Sequence, residues 1–310
     1  MPHPEPHHIA DEMDREPAWP DPKTIAAFAI TAIMAGGNSV AIKISNSELA
    51  PFWGAAIRFF AASVLLFAVV AIMRWELPRG RALLGALLYG LFSFGMAFGF
   101  IYWALTEITA GTAMVGLATV PLLTLVFAVG LGIERLSVRG VAGAVIAVLG
   151  IALVFQDSIS TASPAALAAL LCGAASLAVS PIVVKKFPRV HAVSENAIGM
   201  FAGSGILFAV SLLRAEQWAF PAIMRTQIAL LYLVVLGSIG VFLLYLFIVR
   251  RMTPSGANYI MLLAPLAAVL FGWLLLGETA GSVFFLGAIL VLTGVFVGAI
   301  MRPPTTARER

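Results

Sequence analysis

The sequence predicts an all-α polytopic membrane protein, with ten transmembrane helices arranged as two inverted five-helix repeats. Two observations lead to this fold class: the composition, and a pattern that recurs within the chain. Of the 310 residues, 61% are hydrophobic and only 11% are charged, and the mean hydropathy is +1.01. Soluble globular domains carry about 25% charged residues, so the composition excludes that class.

Ten apolar stretches follow one another along the chain, each close to the roughly 20 residues that cross a bilayer core. They are residues 24–42, 51–73, 82–105, 111–131, 139–155, 164–184, 194–213, 226–249, 255–276 and 282–301. Residues 1–23 are polar and rich in Pro and His, which is typical of a disordered tail rather than a cleavable signal peptide. We therefore predict cytoplasmic tails at 1–23 and 302–310, a first repeat at 24–155, and a second, inverted repeat at 156–301.

The distribution of basic residues predicts the orientation in the membrane. If the N-terminus is cytoplasmic, most Lys and Arg residues outside the spans face the cytoplasm, and the outer loops hold only Arg214 and Arg225. Cytoplasmic loops carry the excess of positive charge, so both termini are predicted to be cytoplasmic, in a bacterial inner (plasma) membrane. The lone cysteine, Cys172, falls within the sixth stretch, which excludes an intramolecular disulfide.

The end of each half carries the same residues at an offset of 144 positions. A proline, a glutamate and two glycines recur with their spacing kept: Pro121, Glu134, Gly143 and Gly150 match Pro265, Glu278, Gly287 and Gly294. A weaker echo at an offset of 142 sets Lys43 against Lys185. Because five spans is an odd number, equivalent positions must face opposite sides of the membrane, and the repeats are inverted.

Inversion decides how the repeated residues are interpreted. Glu134 and Glu278 are predicted to lie on opposite membrane faces, separated by roughly the 30 Å of a bilayer core, so they cannot share a substrate. We predict that both glutamates, with Pro121 and Pro265, are structural landmarks of the helix ends. The seam between the halves is then the predicted binding place, which rocking of one half against the other would expose to each side in turn.

Several of these residues resemble a known family. Lys43 after Gly36-Gly37-Asn38, the Arg58-Phe59 pair, and the Pro, Glu, Gly pattern that closes each half are similar to the drug/metabolite transporter superfamily, and within it to the ten-helix EamA exporters. The resemblance covers residues 24–301. It implies a central cavity lined mainly by helices one, three, four, six, eight and nine, and it extends to exporters of aromatic and neutral amino acids. Ala118-Thr119-Val120 departs from the aromatic residues that such exporters can carry there, which puts a strictly aromatic preference in doubt.

Nine residues are predicted to bind the substrate. They are polar groups near the seam and tyrosines along its walls: Asn38, Lys43, Tyr89, Tyr102, Thr119, Ser180, Tyr245, Asn258 and Tyr259. Asn38, Ser180 and Asn258 would contact amino and carboxyl groups, since an amide or hydroxyl in hydrocarbon needs a partner. The alternatives stay open: Asn38 could simply join helices, and Lys43 could either attract a substrate carboxylate or extend its amine to the outer headgroups.

Arg58 is predicted to be structural. It follows Pro51 by seven residues, which at about 1.5 Å per residue places it some 10 Å into the membrane. At that depth it must be paired, either with helix carbonyls or with Glu48. No span carries Asp or Glu near its centre, so the proton relay of a coupled pump is missing and a facilitator is favoured.

The predicted function is export of small amphipathic metabolites, amino acids first, with a small-molecule substrate and the lipid bilayer as partners and no nucleic acid. Efflux of hydrophobic drugs is the alternative within transport, and a non-transporting scaffold or sensor is the alternative of another class. The four histidines lie in the tail or a loop, so we predict no enzyme, metal or cofactor. Gly294 and Gly298 could form a homodimer seam through the last helix, or pack internally.

Overall fold

The computed structural model describes most of the chain. Its described residues are 22–131, 138–159, 163–188, 190–249, 260–279 and 281–297. All regular structure in these ranges is helical. Four residues singled out from the sequence, Glu134, Asn258, Tyr259 and Gly298, lie outside the described residues, as do nearly all of the N-terminal tail and the whole C-terminal tail.

The first repeat contains five spans. They are α1 (Pro22–Asn46), α2 (Pro51–Ile72), α3 (Arg81–Ala104), α4 (Ala110–Leu117 and Val120–Gly130) and α5 (Val138–Ile159). The second repeat follows the same order. Its spans are α6 (Pro164–Lys186), α7 (Ala192–Leu213), α8 (Met224–Val234 continuing through Val241–Val249), α9 (Ile260–Leu276) and α10 (Ser282–Val295).

The helices confirm the predicted fold class of an all-α polytopic membrane protein. Within the described residues, six helices (α1, α2, α3, α6, α7 and α8) are long and apolar enough to cross a membrane, and α4, α5, α9 and α10 contain shorter apolar helices. Large apolar side chains point outward from them: Val148 is 63% exposed, Leu231 64% and Ile289 61%. Contiguous exposed apolar surface is unstable in water but matches the hydrocarbon of a bilayer.

The fourth span is broken, although the sequence predicts one continuous helix over 111–131. Its two pieces are separated at Ala118 and Thr119, just before Pro121. Proline lacks the N–H of a helical hydrogen bond and disfavours helical backbone in the residue before it. The Thr119 hydroxyl donates to the carbonyl of Gly116 at 2.6 Å, which satisfies an acceptor at the break. Its twin Pro265 lies inside an unbroken α9.

Two π-helical segments repeat at the same offset as the sequence pattern. Leu91–Met96 interrupts α3 and Val235–Gly240 interrupts α8, and each residue of one segment lies 144 positions from its counterpart in the other. The letters of the two segments, LFSFGM and VLGSIG, do not match. A π segment widens the helix by one residue per turn and often marks a functional position. In these segments the repeat is therefore visible in the backbone conformation but not in the identity of the side chains.

The repeated glycines pack α5 against α10. A Cβ atom added to Gly150 would lie 2.7 Å from the carbonyl oxygen of Gly287, and one added to Gly294 would lie 2.6 Å from the carbonyl oxygen of Gly143. These glycines let the two backbones approach closely, as small residues do between membrane helices. Because Gly294 faces α5, a homodimer through the last helix would have to use another face of α10.

Replacing Gly150 with Ala is expected to lower thermal stability. The new Cβ would lie 2.5 Å from the backbone nitrogen of Val291, and backbone cannot rotate away as a side chain can, so the helices must separate. Overpacking of this kind costs about 1–3 kcal/mol. Scanning fluorimetry of the purified protein in detergent measures the effect. Gly205→Ala, where an added Cβ meets nothing within 4 Å, is the matched control, and equal melting temperatures for both variants would contradict the close packing.

Candidate functional site

Two of the polar contacts that cross the seam between the repeats occupy equivalent positions, near the middle of α3 and α8. Asn38 of α1 donates from Nδ2 to the carbonyl oxygen of Gly237, in the π segment of α8, at 3.1 Å. Ser180 of α6 hydrogen-bonds through its hydroxyl to the hydroxyl of Ser93, in the π segment of α3. An offset of 142 relates Asn38 to Ser180, and an offset of 144 relates Ser93 to Gly237. The two contacts are thus equivalent positions of the inverted repeats.

Gly237 can serve this seam because it has no side chain. Its carbonyl oxygen accepts from Asn38 and also from Nη2 of Arg58, at 3.0 Å. A Cβ on Gly237 would overlap Oδ1 of Asn38 and lie 3.3 Å from Nη2 of Arg58. The irregular backbone of the π segment makes such a carbonyl available to neighbouring helices, which is tolerated at this depth because it is buried in protein.

Arg58 is fully buried and is held by neutral partners. Its Nε donates to the hydroxyl of Ser238 at 2.9 Å, beside the bond to Gly237. The guanidinium carbon lies 4.8 Å from the ring centroid of Phe59 and 5.0 Å from that of Phe98, distances at which a cation is attracted to an aromatic face. The structure thus pairs Arg58 with a helix carbonyl and a hydroxyl instead of Glu48, the other partner that the sequence allows.

The predicted tyrosines lie at different depths along the seam. Tyr89 donates to Oδ1 of Asn196 in α7 at 3.1 Å and lies near Tyr245. Tyr102 is fully buried on the other side of the π segment of α3, and its hydroxyl faces the guanidinium of Arg58. The predicted residues therefore do not form one cluster. Asn38 and Ser180 are central, whereas Tyr89 with Tyr245 and Tyr102 lie to either side.

Several seam residues escape analysis of the sequence alone: Ser93, Asn196, Tyr232, Gly237 and Ser238. Tyr232 donates to the carbonyl oxygen of Met34 at 2.7 Å, and a Cβ on Gly37 would overlap its hydroxyl. This contact gives a reason for a glycine in α1 that the sequence could not supply. Ser93 could have been found from the sequence, because the 144-residue offset makes it the repeat counterpart of Gly237. Finding it requires extending the repeat beyond the positions at which the two halves have identical residues.

One end of the bundle holds four glutamates, and we call it the acidic face. It is defined by Glu48, Glu107, Glu216 and Glu278. Each of these carboxylates accepts hydrogen bonds from backbone N–H groups at the start of a helix that belongs to the other repeat. Glu48 accepts from Ala222 and Ile223 before α8, Glu107 from Ser163 before α6, Glu216 from Phe52 and Trp53 in α2, and Glu278 from Ala110 in α4.

Electrostatics favours this arrangement. The first N–H groups of a helix have no partner within it and carry partial positive charge, so a carboxylate there is stabilised. The backbone N–H of Ala222, and then the side chain of Thr226, lower the pKa of Glu48, and the backbone N–H of Ser163 lowers the pKa of Glu107. Lowered pKa values mean that the contacts are fully formed above the ordinary value of 4.5 and weaken as the pH falls below it.

An ion pair adds a further link at the acidic face. Nζ of Lys43, at the end of α1, lies 2.9 Å from Oε1 of Glu278 and donates to the carbonyl oxygen of Ile108 at 2.6 Å. The Lys43 and Glu278 side chains are 27% and 15% exposed. Lys43 thus meets its charge requirement within the protein and does not extend to the headgroups. Together with the four glutamate contacts, the pair ties the two repeats together, so the acidic face is closed in this structure.

Comparisons with known proteins agree with the two-repeat architecture. The model of the EamA-like transporter family matches residues 22–156 and 164–299, one match for each repeat. The chain is 29% identical to the uncharacterised inner membrane transporter YedA of Escherichia coli K12 over 87% of this chain and 88% of the relative. It is 26% identical to a probable amino-acid metabolite efflux pump of the same organism, over 86% and 92%.

Two further comparisons concern the substrates of related transporters and the fold. The chain is 30% identical to an S-adenosylmethionine uptake transporter of Rickettsia prowazekii, over 71% of this chain and 72% of the relative. A solved crystal structure that is 18% identical covers 88% of this chain and 96% of its own, with a TM-score of 0.62. At that identity the likeness shows the fold alone. The two relatives whose names give a substrate are both transporters, and those substrates differ.

Proposed function

We propose that this chain, which belongs to the EamA-like transporter family, exports small amphipathic metabolites, amino acids first, by alternating access across the inner membrane. The family and its relatives are transporters, and the helices are those of a multi-pass membrane protein. The substrate class, the direction and the mechanism are our proposal. One observation carries it: the equivalent polar contacts Asn38 to Gly237 and Ser180 to Ser93 meet at the seam between the inverted repeats.

The chemistry of these contacts supports a zwitterionic substrate. The seam is lined mostly by apolar side chains, and its few amide, hydroxyl and carbonyl groups can orient a small ligand with polar ends, as in other mostly apolar sites. Oδ1 of Asn38 is buried and has no hydrogen-bond partner within the described residues. A residue that served only to join helices would gain by satisfying this acceptor, because a buried acceptor without a partner costs free energy.

The closed acidic face supports alternating access. All of its four glutamate contacts link one repeat to the other, so they must break together if the halves rock apart at this end. The two arginines predicted to lie outside are at the same end as Glu216: Arg214 follows α7 directly, and Arg225 is in the first turn of α8. We therefore propose that the acidic face is the outer face, that both termini are cytoplasmic, and that this conformation is closed toward the outside.

We further propose that the chain acts as a facilitator. Among the described residues, the glutamates near the seam lie at helix ends: Glu195 is in the first turn of α7, and the other four form the acidic face. A proton-coupled carrier generally holds an ionisable carboxylate within the membrane. Fluorescence of a pH dye inside liposomes tests this proposal, since stoichiometric proton movement with the cargo would contradict it.

Proteoliposomes that contain the purified chain test the proposed function. A panel of labelled neutral and aromatic amino acids, S-adenosylmethionine and hydrophobic cationic dyes is loaded, and release is measured against empty liposomes. We expect saturable release of at least one amino acid, reduced about tenfold by Asn38→Ala and unchanged by the control Gly205→Ala. Release of dyes without amino acids would indicate the drug-efflux alternative, and no release of any compound would indicate a scaffold or sensor.

A further inference from the structure

Arg58 presents a problem that the proposed function does not resolve. Its side chain is fully buried, about 10 Å along α2 from Pro51 at 1.5 Å per residue. A buried cation is costly unless an opposite charge or several hydrogen bonds compensate it. Within the part of the chain that the structure describes, the carboxylates near the seam bind elsewhere, and the recorded ion pair joins Lys43 to Glu278. The charge of Arg58 is thus met by neutral groups alone.

One nitrogen of the guanidinium also lacks a hydrogen-bond acceptor. A guanidinium has five N–H groups in a fixed planar fork. Nε and Nη2 bind Ser238 and Gly237, whereas Nη1 is buried and has no hydrogen-bond partner among the described residues. Phe59 and Phe98 lie against the guanidinium and exclude water from it. This fixes the fork in one orientation, with one edge anchored to α8 and Nη1 free.

Two further unpartnered groups lie beside that donor. The Tyr102 hydroxyl lies close enough to the Arg58 guanidinium to interact with its charge and as a side-chain hydrogen-bonding neighbour, yet it makes no hydrogen bond of good geometry within the described residues. Oδ1 of Asn38 is also without a partner, and Asn38 binds the same Gly237 carbonyl as Arg58. Buried polar atoms are rarely left unsatisfied. Three such atoms, which the Arg58 guanidinium links from Asn38 at the shared carbonyl to Tyr102, are a strong departure from that rule.

The three atoms differ in a way that matches one class of ligand. Nη1 of Arg58 and the Tyr102 hydroxyl can donate, whereas Oδ1 of Asn38 can only accept. A carboxylate accepts hydrogen bonds, and an ammonium donates them. From this arrangement we infer that Arg58 and Tyr102 bind the carboxylate of a zwitterionic amino acid, while Oδ1 of Asn38 accepts from its ammonium group.

This inference rests on the proposed function and makes it more specific. Arg58 has no exposed surface in the present structure, so binding requires the seam to open on one side, as alternating access provides. Bound carboxylate then supplies the missing counter-charge in a site of low dielectric, where charge-assisted hydrogen bonds are strong. The site selects against amines and esters, because these leave the Arg58 charge unpaired.

The test compares the transport of an amino acid with that of its methyl ester and its matching amine. The two series are leucine with 3-methylbutylamine and phenylalanine with phenethylamine, each with the methyl ester. Transport is measured in proteoliposomes of the full chain. For wild type we expect at least a tenfold preference for the amino acid over its ester. Arg58→Gln is expected to bring that ratio close to one, and Arg58→Lys, which keeps the charge but not the fork, to retain part of it.

Tyr102→Phe keeps the test valid if Arg58→Gln does not fold. It removes a hydroxyl that makes no hydrogen bond of good geometry, so stability is expected to hold, while the preference for acid over ester falls about threefold to tenfold. Gly205→Ala, where an added Cβ meets nothing within 4 Å, is the control and is expected to keep the preference of wild type. Transport of amino acids without discrimination against esters, or discrimination that survives Arg58→Gln and Tyr102→Phe, overturns the inference alone. Transport of none of the amino acids by wild type overturns the proposed function as well.

Discussion

Glu278→Gln is expected to slow transport about tenfold or more while the protein stays folded. The substitution keeps the shape of the side chain but leaves Lys43, whose amine now meets only the carbonyl of Ile108, without its counter-charge. Removing one partner of a fully buried pair costs about 3–5 kcal/mol. Because these side chains are 27% and 15% exposed, we expect a loss of about 1–3 kcal/mol, which lowers the ratio of closed to open conformations about 5- to 150-fold.

The same ion pair can be tested by exchanging its charges. Lys43→Glu combined with Glu278→Lys restores the attraction but sets a lysine at the start of α4, where Glu278 now accepts from the N–H of Ala110. A cation is unfavourable at a helix N-terminus. The exchange should therefore recover only part of the transport lost in each single variant. Glu76→Gln, at an exposed loop glutamate, is the control. Equal rates for Glu278→Gln and Glu76→Gln would contradict the proposed closure.

Gly237→Ala is the second change with a large expected effect. The new Cβ would overlap Oδ1 of Asn38 and press against Nη2 of Arg58, so the amide and guanidinium must move from their shared carbonyl. We expect transport to fall at least tenfold, with a loss of apparent stability of about 1–3 kcal/mol. The release assay and scanning fluorimetry measure the two effects separately.

A double variant separates packing from substrate binding. Gly237→Ala with Asn38→Ala removes the overlapping amide, and stability should return most of the way to that of wild type. Transport should stay low, because the seam then lacks the amide that our proposal assigns to the ammonium group. Recovery of both stability and transport in the double variant would show that Asn38 has a packing role only.

The sequence predicts the fold closely because each span leaves a separate signal. The lengths of the apolar stretches predict the helices. The recurring Pro, Glu and Gly residues predict the repeat, and the odd number of spans in each half predicts that the repeats are inverted. Pro121 is visible in the sequence, yet whether it breaks its helix depends on the surroundings: α4 breaks before Pro121, whereas α9 continues through Pro265. Local propensity alone does not decide between these outcomes.

The candidate site is harder to predict for a physical reason. Its contacts join residues that are far apart in sequence, such as Asn38 and Gly237, and half of each contact is a backbone carbonyl that carries no sequence signal. The role of the four glutamates of the acidic face is hidden in the same way, because their partners are backbone N–H groups of other helices. The π segments that bring Ser93 and Gly237 to the seam lie 144 residues apart, as the repeat requires, but they have no identical residues at equivalent positions.

Alternating access at the acidic face is the central claim, and a distance across that face tests it most directly. Spin labels are placed at Ser47 and Thr279, which are exposed and belong to different repeats, after the exposed Cys172 has been replaced by Ser. Double electron–electron resonance on the full chain in nanodiscs then measures their separation at pH 7. The same labels are measured in the Glu278→Gln and Glu76→Gln variants.

We predict a short, dominant distance in wild type and in Glu76→Gln, where the four glutamate contacts and the Lys43 ion pair hold the face closed. In Glu278→Gln a second, longer distance should gain population at the expense of the first. A single distance distribution that is the same in all three proteins would contradict the claim, because the acidic face would then not open when the ion pair between Lys43 and Glu278 is removed.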